Sequence, residues 1–76
     1  MQNIKDQKFL TVLGSRVKEL REAKGLTQLD LATLCDNHAE QIGRIERGQY
    51  NVTICSLLLI AKSLDVKLKD MLDFKY

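Results

Sequence analysis

The stretch Thr27–Gly48, TQLDLATLCDNHAEQIGRIERG, decides how this chain is read. Thr27 and Asp30 stand at a capping-box spacing, with a hydroxyl before the helix and a short acid able to reach back to the free amides of the first turn. Leu31, Ala32 and Cys35 then recur at helical spacing and complete a short helix. Asp36 and Asn37 are the non-glycine types that best tolerate positive φ, so a tight turn is expected there. Another short helix begins near His38, carries Ile42 and Ile45 on its apolar side, and closes at Gly48.

Working outward, Phe9, Leu13, Val17 and Leu20 recur at steps of four, four and three and define a preceding helix, which Lys24 and Gly25 terminate. On the other side, Thr53 opens a strongly apolar helix with Ile54, Leu57, Leu58, Ile60, Ala61 and Leu64, ending at Asp65. A last short helix is expected at about Leu68 to Phe74, with Leu68, Met71 and Leu72 apolar. The chain has 76 residues, no proline and four aromatics (Phe9, Tyr50, Phe74, Tyr76), which disfavours a β sandwich and predicts a compact, all-α, five-helix fold. No linker or repeat interrupts it. One domain spans residues 12–72, with residues 1–11 extending the first helix and residues 73–76 forming a tail.

Composition excludes several functions. A single small domain leaves no room for a second lobe around a cleft, and the chain has one His, no phosphate-binding glycine loop and no paired acids with an orienting base. An enzyme is therefore not expected, and neither is a cofactor. Cys35 and Cys55 lack metal or redox spacing, with only His38 as a companion, so both read as small core residues and no metal is expected. The longest apolar run, Leu57–Ala61, is far too short to span a bilayer and the N-terminus has no signal-peptide core, so no membrane partner and a cytoplasmic location are expected. Twelve Lys and Arg against ten Asp and Glu give a net charge of +2, too little for a protein that coats nucleic acid. Any such contact must be local.

Two short helices joined by a turn of about three residues span a helix-turn-helix unit. The elements Leu26-Thr27-Gln28 and Leu31-Ala32, then Ile42-Gly43-Arg44-Ile45-Glu46-Arg47-Gly48, Asn51-Val52-Thr53-Ile54, Leu57, Ile60-Ala61 and Leu64 resemble the Cro and phage-repressor type (XRE) helix-turn-helix family. The resemblance covers roughly residues 12–72. It implies a lambda-repressor-like DNA-binding domain, usually homodimeric, of a bacterial or phage transcription regulator. The chain departs from the family pattern at Asp36 (usually Gly), Asn37 (usually apolar), His38 (usually a Ser or Thr cap) and Val52 (often Pro). One account of Asn37 makes it the cap of the second helix of the unit, with Glu40 completing an Asn-x-x-Glu capping box.

At about 100 degrees per residue, Glu40, Gly43, Arg44 and Arg47 lie opposite Ile42 and Ile45 and should face the major groove. Arg44 is the expected base reader, since a guanidinium pairs bidentately with guanine O6 and N7, and the family's base-contacting position falls on it. Gly43 would permit close approach, Glu40 would accept from a cytosine amino group or serve the cap, Ala39 would touch a thymine methyl, and Gln41 would reach an adenine edge or a phosphate. Gln28, at a helix start where free amides favour an anion, is expected to donate to phosphate, as the resemblance also implies. Thr27, His38, Arg47, Gln49, Tyr50 and Asn51 are placed to join it. The resemblance further implies an ion pair between Arg21 and Glu46 that clamps the recognition helix to the first helix.

A helix apolar nearly all round must be covered by something. Leu58, Leu59, Met71, Phe74 and Tyr76 are the expected patch for a second copy, the other possibility being that the C-terminal tail folds back over Leu59. Leu29 and Leu34 are also apolar where a helix should be wet, and two covers are open for them, Met1–Thr11 or a partner protein. The leading function is a sequence-specific DNA-binding regulator, probably a repressor, bound as a homodimer to a near-palindromic operator. An antitoxin that neutralises a toxin protein and regulates its own operon is the alternative. A protein-binding unit without DNA affinity is a third reading, motivated by the acidic balance of −2 over residues 27–48.

Overall fold

The computed structural model describes residues 6–76. Each helix starts and stops where local chemistry dictates. α1 (Gln7–Ala23) is capped by Asp6, whose side chain accepts from the Phe9 amide at 2.9 Å. It ends as the amides of Gly25 and Leu26 turn back onto the carbonyls of Glu22 and Arg21, with Gly25 at φ 71°.

α2 (Gln28–Leu34) opens with the full capping box: Thr27 Oγ1 accepts from the Asp30 amide at 3.0 Å, and Asp30 Oδ2 accepts from the Thr27 amide at 2.9 Å. Those bonds hold the Asp30 carboxyl below the usual carboxylate range, the backbone bond contributing most. Asp36 takes the left-handed conformation at φ 53°, as its type allows.

α3 (Ala39–Glu46) starts without a side-chain cap. The expected Asn37–Glu40 box does not form. The Asn37 amide is already spent on the Ala32 carbonyl at 2.8 Å, closing α2, and its side chain accepts instead from the adjacent His38 amide at 2.7 Å. The turn is too short for Asn37 to finish one helix and cap the next. His38 occupies the cap position with extended backbone.

α4 (Ile54–Ser63) is capped by Thr53 and ends at Asp65, which has φ 55°. α5 (Leu68–Met71) is a single turn, shorter than expected. The chain leaves it at Leu72 and turns Phe74 and Tyr76 onto Phe9, with ring centroids 5.6 and 5.1 Å apart.

The core draws on every helix: Leu13 and Val17 of α1, Leu31 and Ala32 of α2, Ile42 and Ile45 of α3, Leu57, Ile60 and Ala61 of α4, and Met71 of α5. Cys35 is buried among them. Cys55 is exposed, contrary to the expectation that both cysteines are core, because it lies on the outward side of the first turn of α4.

α3 is seated between α1 and α2. Its contact with α1 is made possible by Gly14, where any Cβ would collide with the carbonyl oxygens of Ile45 and Glu46. No helix among the described residues is long and apolar enough to cross a membrane.

Candidate nucleic-acid interface

α3 presents one continuous exposed stripe made by Glu40, Arg44 and Arg47, on the side away from the buried Ile42 and Ile45. The exposed Arg44 side chain makes no hydrogen bond or ion pair among the described residues, which leaves its five donors to solvent. Ala39 and Gln41 are half-buried and flank the stripe. Gly43, expected on the same face, is buried instead. The side chains of Gln28 and Arg47 lie across it: a Cβ built there would sit 3.0 Å from Arg47 Nη1 and 3.2 Å from Gln28 Oε1.

The C-terminal end of α3 is fixed from outside. Near its C-terminus, Glu46 receives two bonds from Arg21, Nε to Oε2 at 2.6 Å and Nη2 to Oε1 at 3.1 Å, in a bidentate pair that is buried on both sides. Arg21 Nη1 also donates to the Leu26 carbonyl at 2.5 Å, which ties the start of α2 to the same cluster. The bond to Glu46 raises the Arg21 pKa above its ordinary value, with burial opposing it. Gln28 Nε2 adds a further bond to Glu46 Oε1 at 3.1 Å. The Gln28 amide is thus held in one orientation, and one of its two N–H groups remains for another acceptor. Thr27 lies beside it, its hydroxyl already accepting from Asp30 and keeping its own proton.

The turn after α3 is anchored on α1. Gly48 has φ 72° and lies so close to Thr11 that a Cβ would meet its Cα at 2.9 Å. Gln7 Nε2 donates to the Gly48 carbonyl at 2.8 Å and to Thr11 Oγ1 at 3.2 Å. Gln49 accepts from Arg47 Nε at 3.3 Å, Asn51 is exposed, and Tyr50 is half-buried against the core. His38 is exposed at the other end of α3. Gln28 and Arg47 thus meet over Gly43 beside Arg44, Thr27 adjoins Gln28, and His38 and the 48–51 turn stand at the two ends of α3.

Gln7 and Gly14 were absent from the expected set. Gly14 carried a signal, being a glycine amid the buried stripe of a helix, which marks a close backbone approach. Gln7 carried none, because its bond reaches across 41 residues.

The expected patch for a second copy is rearranged. Met71 is wholly buried, with 0% exposure, because α5 folds inward onto the core and is too short to offer two faces. Phe74 and Tyr76 turn toward α1, where Tyr76 Oη donates to Asp6 Oδ2 at 3.3 Å, and do not fold over Leu59. What remains outward of the patch is Leu58, Leu59 and Tyr76, at 39%, 45% and 57% exposure, with Ile54 at 62% joining the two leucines on α4. Leu29 and Leu34 stay exposed on α2. Of the segment considered for covering them, residues 1–5 lie outside the described residues, and residues 7–11 form the start of α1 against the 48–51 turn and the tail. Among the described residues no group of His, Cys, Asp and Glu is arranged to hold a metal ion.

A family model described as helix-turn-helix matches residues 17–71. The chain is 41% identical over 64 residues to control protein C.BamHI of Bacillus amyloliquefaciens, covering 83% of this chain and 79% of that protein. It is 33% identical over 61 residues to control protein C.SmaI of Serratia marcescens, covering 80% and 73%. The crystal structure of the restriction-modification controller protein C.AhdI from Aeromonas hydrophila superposes with a TM-score of 0.80 at 40% identity, covering 82% of this chain and 94% of that one.

Proposed function

Because this chain belongs to the helix-turn-helix family of DNA-binding regulators, we propose that it inserts α3 into the major groove of an operator as a homodimer and so controls transcription of the genes of a restriction-modification system. The observation that carries the reading is the pairing of an unengaged Arg44 on the outward stripe of α3 with a rigid mount for that helix, supplied by Gly14, Gln28 and the Arg21–Glu46 pair. A base-reading side chain needs a fixed platform, because specificity is lost when the reader can shift. The likeness to two control proteins and a restriction-modification controller supports the choice of target genes.

In this reading Arg44 addresses base edges, with Glu40, Ala39 and Gln41 beside it. Gln28, Thr27, His38, Arg47, Gln49, Tyr50 and Asn51 hold phosphate and set the register. A second copy covers Ile54, Leu58 and Leu59 of α4, next to a groove of about 320 Å³ lined by Phe9, Leu10, Leu13, Val52, Leu57 and Leu72. The two recognition helices then fall about 34 Å apart, one turn of DNA. The protein works where the DNA is, in the cytoplasm, without catalysis of its own. The antitoxin alternative has no observation in its favour.

Selection of DNA from a random library tests this directly. The wild-type chain should enrich one near-palindromic sequence. Arg44→Ala should relax preference at particular bases by about 1–3 kcal/mol, while Gln28→Ala should weaken all sequences about equally. No enrichment at low salt, or the reverse pattern in the two variants, would sink it.

A further inference from the structure

Gly43 sits in the middle of α3 at helical φ, where glycine is the least favourable residue apart from proline. Its backbone does not require glycine, unlike that of Gly48. Nor does the fold, since the groups a Cβ would crowd are the far ends of two flexible side chains, Arg47 Nη1 at 3.0 Å and Gln28 Oε1 at 3.2 Å, with Gln28 Nε2 at 3.6 Å. Gly14 is the contrast, walled by backbone carbonyls that can move only if α3 moves with them.

The space over Gly43 is therefore a bed for two donors. Gln28 reaches it from the first turn of α2 and is pinned beyond it by Glu46. Arg47 reaches it from the end of α3 and is steadied by Gln49. Both side chains therefore converge over Gly43, next to Arg44.

We propose that Gly43 is a positioning residue for DNA binding: its missing side chain lets Gln28 and Arg47 lie together along α3 at the height needed to grip phosphate beside the base reader. This rests on the DNA-binding reading above and goes beyond it by assigning a role to an atom that is absent. Adding one methyl group lifts both donors off the helix, so grip is lost while base preference is kept.

The test uses the full chain and the operator enriched by the wild type. Gly43→Ala should raise the thermal midpoint by about 4 °C, because alanine favours helix. It should weaken binding about tenfold on every sequence alike, with base preference unchanged and the slope of log affinity against log salt shallower by about one. In a Gln28→Ala/Arg47→Ala background, where nothing remains to be lifted, the same substitution should change affinity by less than about twofold. A Gly43→Ala chain that binds like wild type, an equal loss in both backgrounds, or a lowered thermal midpoint overturns the proposal. Failure of the wild type to enrich any DNA overturns the DNA-binding reading beneath it, a separate result.

Discussion

Arg21 and Glu46 show how one residue pair can serve the interface without belonging to it. Taking a guanidinium and a carboxylate out of water is costly, and the cost is met here by two mutual bonds, one to the Leu26 carbonyl and one from Gln28. The groups in the cluster come from the end of α1, the start of α2 and the end of α3, so the pair fixes the three helices against one another. Removing one partner leaves the other charge buried and alone. Arg21→Ala should destabilise the chain by roughly 3 kcal/mol in urea unfolding, and the Arg21→Met/Glu46→Met double variant should regain most of that loss. A loss under about 0.5 kcal/mol for Arg21→Ala would place the pair with ordinary surface ion pairs. The identity of these two residues was legible from the family resemblance. The part played by Gln28 in the same cluster was not, because an amide at a helix start looks the same whether it faces solvent or a carboxylate.

At the scale of elements, the angle and depth of α3 depend on its crossing with α1. Glycine at position 14 brings the two backbones together, and the next contact along, Gly48 on Thr11, repeats the arrangement at the turn. Gly14→Ala should cost about 1–3 kcal/mol, because the carbonyls of Ile45 and Glu46 must retreat and carry α3 with them. That displacement tilts Arg44 as well, so operator affinity measured well below the unfolding temperature should fall alongside stability. Retention of full affinity in a destabilised Gly14→Ala chain would mean the crossing does not set the pose of α3. Helix boundaries were readable from caps at Thr27 and Thr53 and from stops at Gly25, Asp36, Gly48 and Asp65. The α2–α3 turn was misjudged only at Asn37, where two helix ends compete for one residue.

For the whole molecule, charge and exposed apolar surface act together. The net charge of +2 is distributed unevenly: residues 1–26 carry 6 − 3 = +3, residues 27–48 carry 2 − 4 = −2, and residues 49–76 carry 4 − 3 = +1. Under the proposed DNA-binding reading, a unit with only Arg44 and Arg47 as cations neutralises few phosphates, so a single copy should grip weakly and a homodimer should supply the affinity. Leu58→Glu on the outward side of α4 should shift the chain to monomers in analytical ultracentrifugation and weaken operator binding by more than about a hundredfold, with the single-chain fold intact. The salt slope of the wild-type chain on its operator should stay below about eight in magnitude. A steeper slope, or a Leu58→Glu chain that remains dimeric, counts against this assembly.

The sequence by itself determined the five helices, the turn between α2 and α3, and the stripe of Glu40, Arg44 and Arg47. These follow from bonds and periodicities spanning three to seven residues, which a linear chain displays openly. Only the tertiary structure decided which side of each element is covered. It buried Met71 and Gly43, exposed Cys55 and Ile54, and sent Phe74 and Tyr76 toward Phe9. Those outcomes depend on long-range packing, where one helix end fills or leaves open a space made by another. Apolar character alone favours burial but does not name the surface that provides it.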